Sequence, residues 1–482
     1  MQTTAERLQW NRANGHLVRG EGDAYLLHVP TTAVFGVDEL ALELIGICGQ
    51  PGGASVDELV ARLAPRFAPA RVRALAEELR TLEMLQSPGS LRPINPAGVK
   101  VQSYPLSTLV LNVNTGCNLS CTYCYKEDLE KPASGRKMDF VTAARSVDLL
   151  IEAAAARDRI NVVFFGGEPL SNMPLIQQVT SYAELKASSA GKSVDFSLTT
   201  NATLLTPKLI EFFDAHRFGI SVSMDGPKAL HDRHRLSVGG RGTYDVVARK
   251  VRLLLGSYRS RPVGARVTLG GGNVEVEAIH AHLRGELGFH EVGYAPVTSA
   301  ADARHALSAP ELNEVHAAFE RLGEDYRRAA LAGANNGFSN MHQLMTDLHE
   351  GRRKSLPCGA GVGLLAVDGA GELNLCHRFT GSELPTFGNV ASGIDGERLG
   401  AFIEKALDRE GTHCATCRIR NLCAGGCYHE SYARFGDPHH RTYHYCDLLR
   451  RWVDFGVRIY ADIKRRNPSF FTRHLEPRSV PA

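Results

Sequence analysis

What the 482-residue sequence lacks narrows the field first. No window is long and apolar enough to span a bilayer, and the opening residues Met1-Gln-Thr-Thr-Ala-Glu-Arg7 hold no apolar signal core. A cytoplasmic location without a membrane partner is the expectation. An excess of one charge is missing too. The formal net charge of +3 is small for this length and offers neither a nucleic-acid groove nor a polybasic anchor. With 43% hydrophobic and 22% charged residues the composition is that of a soluble globular protein, and the length implies about two to four domains. A cytoplasmic setting also removes disulfides as the use for eleven cysteines, which read instead as metal ligands or catalytic thiols.

Ten of those eleven fall into two groups, three between Cys117 and Cys124 and seven between Cys358 and Cys446. The remaining one, Cys48, sits on the apolar face of an expected helix and reads as a buried structural thiol. In the first group Thr115-Gly-Cys-Asn-Leu-Ser-Cys-Thr-Tyr-Cys-Tyr125 follows the apolar run Leu109–Val113. Its C-x3-C-x2-C spacing offers three thiolates to one [4Fe–4S] cluster and leaves the fourth iron open to an outside ligand, where such clusters usually take four cysteines. Zinc also accepts thiolates, but it asks for four ligands and no fourth His or Cys lies nearby.

The spacing, and the aromatic Tyr123 before the third cysteine, resemble the radical S-adenosylmethionine (SAM) enzymes. The resemblance implies that SAM chelates the open iron and that its reductive cleavage gives a 5′-deoxyadenosyl radical. An external electron donor such as flavodoxin or ferredoxin is implied with it.

After the Pro-rich stretch Leu91-Arg-Pro-Ile-Asn-Pro96, apolar runs alternate with amphipathic helical patterns. Expected strands are Leu109–Val113, Ile160–Phe165, Val194–Thr199, Gly219–Ser223, Ala265–Leu269 and Glu291–Val297, with helices such as Thr206–Ala215 and Thr243–Leu255 between them. Six such units imply a curved parallel sheet, and the resemblance makes it an α/β fold, an open (β/α)6 barrel. Ligands in such folds collect at the C-terminal ends of the strands, so each further motif should follow a strand. Gly166-Gly-Glu-Pro169 follows the second. Its glycines let backbone approach a ligand and Glu168 can accept from an ammonium; by resemblance Gly166, Gly167 and Glu168 hold the amino group of SAM. Thr200 and Asn201 end the third strand, Ser223-Met-Asp-Gly-Pro227 ends the fourth, and Arg266 lies on the fifth. The resemblance gives Ser223 to the ribose and Arg266 to the SAM carboxylate, with Tyr123 and Asn201 in the same site. In His231-Asp-Arg-His-Arg235, Asp232 and Arg235 either form a local salt bridge that fixes the loop or contact substrate.

The second group runs Cys358, Gly371, Cys376, then Cys414, Cys417, Cys423 and Cys427 as C-x2-C-x5-C-x3-C, and finally Cys446. These spacings resemble a SPASM domain, the extension that houses auxiliary clusters in radical SAM peptide maturases. The resemblance assigns Cys414, Cys417, Cys423 and Cys446 to auxiliary cluster II and Cys358, Cys376 and Cys427 to auxiliary cluster I, three [4Fe–4S] clusters in all. Gly351–Pro357 contains no eighth cysteine, so auxiliary I has an open iron for a substrate thiolate unless a nearby Asp, Glu or His fills it.

The expected domain order is 1–89, 90–104 as linker, 105–297 as the barrel, 298–350 as a helical bridge, 351–450 as the auxiliary-cluster domain, and 451–482 as a C-terminal helix and tail. In the first, His16–Leu27 reads as a β-hairpin around Gly20-Glu-Gly22, followed by three helical stripes, the second opened by the capping box Ser55-Val-Asp-Glu58. This is a winged-helix-like order. Arg71, Arg73 and Arg80 on the third helix are offset by Glu77, Glu78 and Glu83, unlike a DNA reader. Ahead of such an enzyme the segment resembles the peptide-recognition domains that add a substrate's leader as a strand to a sheet edge.

Sulfatase maturases carry an acidic residue directly after the cysteine equivalent to Cys376; here His377 stands there, a candidate base. That departure, the missing eighth cysteine and the N-terminal segment favour the thioether-forming branch of the family. Asn118–Leu129 and Cys376-His-Arg-Phe-Thr-Gly381 are most similar to the maturation proteins of quinohemoprotein amine dehydrogenase. That likeness implies Cys-to-Asp or Cys-to-Glu thioether bonds in a small protein substrate, the dehydrogenase γ-subunit. A non-catalytic iron–sulfur regulator is the competing class, and the intact Gly166–Pro169, Ser223 and Arg266 speak against it.

Overall fold

Between residues 108 and 296 each apolar run forms a strand: β1 Thr108–Asn114, β2 Arg159–Gly166, β3 Ser193–Thr200, β4 Gly219–Ser223, β5 Val263–Leu269 and β6 Glu291–Pro296, labelled within this sheet. The computed structural model describes residues 6–20, 22–94, 106–125, 135–154, 157–297, 304–441 and 444–475. Most of the expected linker, Lys126–Leu129, the start of the helical bridge (298–303) and the tail from 476 onward lie outside the described residues.

The helices start where capping residues stand. Asp139 accepts from Thr142 N at 2.7 Å to open Phe140–Ala153, and Thr206 caps Pro207–Ala215 with proline in the first turn. Along β2 the period-2 alternation sends Ile160, Val162 and Phe164 into the core and turns Phe165 to the other face. Phe164, Phe196 and Phe218 stack at centroid distances of 5.3–6.2 Å. Stacked aromatics of this kind add roughly 0.5–1.5 kcal/mol per pair beyond the area they bury.

The sheet has eight strands where six were expected. Its order is β6-β5-β4-β3-β2-β1-β7-β8, where β7 is Leu364–Val367 and β8 is Leu373–Asn374. β7 runs parallel to β1, with Leu364 opposite Thr108, and β8 returns antiparallel. Thus the stretch read as cluster-binding from residue 351 supplies the edge of the central sheet. Four and two residues long, with no helix between them, these strands leave no strand–helix alternation to read. The C-terminal helix differs as well. It spans Cys446–Arg466, so a boundary at 450 cuts its first turn.

The N-terminal segment has its own apolar cluster, including Leu8, Trp10, Leu44, Leu59, Val72 and Leu85. Helices Glu39–Cys48, Val56–Leu63 and Pro69–Thr81 pack around it, and Ser55 with Glu58 forms the reciprocal capping box. Cys48 is fully buried, and burial pushes its thiol up to about 11. The arginines of the third helix pair within the segment, Arg73 with Asp57 at 2.8 Å and Arg71 with Asp38. Two sheets were not anticipated in full. Arg7–Trp10 pairs with both Ala54–Ser55 and Leu85–Gln86, while the hairpin Gly15–Arg19/Ala24–His28 gains a third strand, Ala33–Val37. One face of that meander leaves the local cluster: Val18, Tyr25 and Leu27 join the main core. Among the described residues no helix is long and apolar enough to cross a membrane.

Candidate active site

The C-terminal ends of β1 to β6 surround one cavity of about 330 Å³. Cys117, Cys121 and Cys124 line it from the loop after β1, Gly166 to Glu168 from after β2, Asn201 from β3, Ser223 from β4 and Arg266 from β5. Tyr123 and His377 line it too, so every residue expected at the SAM site, and the candidate base, meets in one space.

The glycines have a second role beside the expected one. A Cβ on Gly166 (φ +150°) would lie 2.2 Å from Asn114 O, and one on Gly167 would lie 2.0 Å from Gly116 O. They admit the backbone of the cysteine loop itself, and Gly167 N donates to Asn114 O at 2.7 Å. Glu168 is 1% exposed. Its carboxylate accepts from Thr200 Oγ1 at 2.7 Å, Asn201 N at 2.8 Å and Leu170 N at 3.1 Å. Burial nevertheless pushes its carboxyl up to about 7, against those hydrogen bonds. Asn201 Nδ2 points to Cys117 Sγ at 3.7 Å and donates to Asn118 Oδ1 at 3.0 Å, tying the third strand to the cysteine loop.

The loop after β4 is a clamp on the same cysteines. Asp225, fully buried, pairs with Arg235 at 2.9 Å and accepts from the Tyr123 hydroxyl. Arg235 also lies over the Tyr123 ring, 5.6 Å from its centroid. Ser120 N donates to Leu236 O and Thr122 N to His234 O, at 2.8 and 3.0 Å. Asp232 takes Lys228 at 3.0 Å and Tyr244 N at 2.8 Å. Both charged residues thus form ion pairs that fix the loop, Asp232 with Lys228 and Arg235 with Asp225 rather than with each other, and Arg235 is buried at the cavity. Sequence reasoning missed Asp225 and Thr200 as parts of the site. Both stand inside or beside motifs that were noted, but their role needs a neighbour distant in sequence.

Arg266 reaches into the cavity across Gly293, where a Cβ would lie 2.6 Å from Nη1. Glycine on the adjacent strand thus clears the guanidinium's path. His377 packs on Phe165 at 4.3 Å between ring centroids, and Arg378 lies 5.0 Å over the Tyr125 ring.

The other seven thiols gather in two places. Cys414, Cys417, Cys423 and Cys446 line a second cavity, also about 330 Å³. Cys358, Cys376 and Cys427 lie within electrostatic reach of one another, and Tyr125 lies within electrostatic reach of Cys124, Cys376 and Cys427. Among the described residues no three His, Cys, Asp or Glu side chains converge tightly enough for a single metal ion. A four-iron cluster asks for another arrangement, one thiolate per iron around a void. Three and four thiols lining cavities of this size fit that demand. Burial pushes Cys117 up to about 11, and Cys121 and Cys376 up to about 12, so metal coordination is what would make them thiolates.

A cysteine triad stands at the C-terminal edge of a mostly parallel sheet, with a polar cavity beside it. Residues 111–283 match the model of the Radical SAM superfamily. A serine-type anaerobic sulfatase-maturating enzyme of Klebsiella pneumoniae is 25% identical over 371 residues, covering 72% of this chain and 86% of that one. The solved structure of anSMEcpe with bound AdoMet superposes with a TM-score of 0.64 at 19% identity, over 75% of this chain and all of that one. SuiB of Streptococcus suis, bound to its precursor peptide SuiA, gives 0.51 at 14% identity over 91% of this chain and 99% of that one.

Proposed function

We propose that the protein is a peptide maturase that joins Cys sulfur to Asp or Glu methylene carbons in a small protein substrate, of the kind made by quinohemoprotein amine dehydrogenase maturation proteins. The observation that carries the reading is the meeting of Cys117, Cys121, Cys124, Glu168, Asn201, Ser223 and Arg266 around one cavity with His377 at its rim. In this reading three [4Fe–4S] clusters are held, by the first triad, by Cys358, Cys376 and Cys427, and by Cys414, Cys417, Cys423 and Cys446. When bound, the first cluster and SAM supply a radical that removes hydrogen from carbon, and the other clusters carry away the electron released when sulfur bonds to that carbon.

The chain's own groups orient the reactants. Glu168, kept rigid by three hydrogen bonds, presents its remaining lone pairs to an ammonium, and Arg266 offers a planar fork to a carboxylate. Ser223 bonds the ribose. Asn201 fixes Cys117. His377 takes the thiol proton of a substrate cysteine. The strand Ala33–Val37 is a sheet edge among the described residues, with Phe35 38% exposed, and suits capture of a leader as an added strand. That the SuiB fold extends over more of this chain than the anSMEcpe fold supports a peptide-reading role for the added part. The electron enters from a flavodoxin- or ferredoxin-type donor.

The names of the relatives favour formylglycine formation as the second reading. One experiment separates them. Reduced, iron-replete protein is given SAM and a quinohemoprotein amine dehydrogenase γ-subunit deuterated at the Asp and Glu methylenes. The proposal expects deuterium in 5′-deoxyadenosine and a mass loss of about 2 Da per bond, two hydrogens leaving with the radical chemistry the cofactor carries. Label arriving only from a cysteine β-carbon establishes the second reading instead.

A further inference from the structure

Among the described residues, two arginines are buried beside the second cavity with no carboxylate to pair them. Arg409 is 8% exposed and Arg420 is 1% exposed. Among the described residues every acceptor they find is a carbonyl or an amide oxygen. Arg409 donates to Arg420 O at 3.2 Å, Ser355 O at 2.7 Å and Lys354 O at 3.2 Å. Arg420 donates to Ile94 O at 2.8 Å, Asn14 Oδ1 at 3.3 Å, Cys417 O at 3.4 Å and Ala13 O, while its Nε finds no acceptor. Carbonyls satisfy the N–H groups and leave the two positive charges uncompensated, and a buried unpaired cation is strongly unfavourable. The one carboxylate lining the cavity among the described residues, Asp447, pairs with Arg450 at 2.6 Å, so the groups left to face the two arginines are thiols, which a bound cluster would make anionic. Arg420 lines the cavity of Cys414, Cys417, Cys423 and Cys446, and Arg409 lies within electrostatic reach of Cys414, Cys423 and Cys417.

Arg420 also reaches the N-terminal segment, through Ala13 and Asn14. Its neighbour Asn421 donates to Val29 O at 3.0 Å and Pro30 O at 3.2 Å. The short segment between Cys417 and Cys423, which ends in the helical turn Arg420–Cys423, therefore touches the four-thiol cavity on one side and the meander of the N-terminal segment on the other.

We propose that Arg409 and Arg420 are the counter-charge of an anionic iron–sulfur site held by Cys414, Cys417, Cys423 and Cys446, and that Arg420 makes docking of the N-terminal segment depend on that site being filled. The inference rests on reading those thiols as cluster ligands. A four-iron cluster with four thiolates carries net negative charge. With it in place the two guanidiniums are paired, and Arg420 stays oriented toward Ala13, Asn14 and Ile94. Without it they repel each other in a buried space, the loop opens, and the segment proposed to read the substrate loses its anchor.

Iron is first counted in the full chain and in a variant with Cys414, Cys417, Cys423 and Cys446 changed to Ala. A deficit of about four irons establishes the cluster, by four-iron stoichiometry; no deficit ends both the cluster reading and this inference. Hydrogen exchange is then compared between the two proteins. At least a tenfold acceleration in residues 13–20 and 24–30, with β3 unchanged, is the expected result. Equal exchange in the N-terminal segment, or acceleration spread evenly over β3 as well, overturns the coupling while leaving the cluster reading intact. Arg409→Gln and Arg420→Gln are each expected to lower the midpoint potential of this cluster in an EPR-monitored titration, because a nearby cation favours the more negative, reduced form. Arg420→Lys keeps the charge and loses the fork, so it frees residues 13–20 and leaves the potential closer to that of the parent. Potentials equal to or above the parent's in both glutamine variants overturn the counter-charge; if those variants do not fold, the exchange comparison decides.

Discussion

The two thiol cavities have similar volumes and opposite surroundings. Around Cys117, Cys121 and Cys124 stand the ends of five further strands, four of them bringing a polar or charged side chain, and three thiols would leave a four-iron cluster one open coordination position. Around Cys414, Cys417, Cys423 and Cys446 there is no strand end. Four thiols would close a four-iron cluster there, and His413, Arg420, Arg441, His444 and Arg450 surround the cavity, with Asp447 paired to Arg450. The first cavity sits where a parallel sheet opens its backbone to ligands, and its charges are arranged to hold something that comes and goes. The second is made by short loops and one helix start, suited to a permanent charge that stays. Reactivity thus follows from the ligand count and from what the fold places opposite the missing ligand.

The sharpest way to break this contrast is to empty the first cavity. Changing Cys117, Cys121 and Cys124 to Ala should lower 5′-deoxyadenosine formation at least about a thousandfold, as removal of a unit on which the whole rate depends. Chromatography of the nucleoside products measures it, and residual formation in that variant would move the radical site elsewhere.

Next in size is a paired test of how tightly each site is built. Gly167→Ala puts a Cβ 2.0 Å from Gly116 O, backbone against backbone, and is expected to cost at least about 3 kcal/mol in urea unfolding, with loss of iron from the first site. Gly425→Ala at the second cavity meets only the flexible Arg441 at 3.2 Å with φ +101°, so strain of about 1–2 kcal/mol is expected. Equal costs would remove the claim that the first site is held by close backbone packing.

A smaller effect is expected from Glu168→Gln. The amide turns an N–H toward Asn201 N or Thr200, leaving a buried donor unmet at about 1–3 kcal/mol, and the KM for SAM should rise roughly tenfold. An unchanged KM would detach Glu168 from SAM binding.

The last concerns pH and the clamp after β4. Burial lowers His231 to about 4, with the nearby Arg235 adding to it and Asp225 opposing. The unfolded chain, with an ordinary histidine near 6.5, takes up this proton first as pH falls, so stability is lost between about pH 6.5 and pH 4. At pH 5 the loss is about 2 kcal/mol, at 1.36 kcal/mol per pH unit. Urea midpoints of the parent and His231→Gln between pH 7.5 and 5 should diverge by that amount; parallel curves would show that the clamp does not carry this cost.

Much of the site was legible because its chemistry is compressed into short spacings. Cys117, Cys121 and Cys124 lie within eight residues, and each of Glu168, Asn201 and Ser223 directly follows or ends an apolar run whose period marked a strand. The partners of those residues were not legible. Thr200 on Glu168, Asp225 under Tyr123 and Arg420 against Ala13 are contacts across 32, 102 and 407 positions. Strands β7 and β8 escaped notice for a related reason. A four-residue apolar run has no period of its own, and only its neighbour β1 makes it a strand.

The sequence by itself determined the cysteine spacings, the repeated strand and helix units, the capping box at Ser55 and the even charge balance, because each depends on residues within one or two turns of chain. Only the tertiary structure decided that the glycines of Gly166-Gly-Glu-Pro169 make room for the cysteine loop. It also decided that His231–Arg235 is a clamp, and that the N-terminal segment rests on a buried arginine between two cysteines. Those depend on which surfaces meet when the parallel sheet brings its strand ends together, and backbone contact between distant loops leaves no periodic mark in the chain.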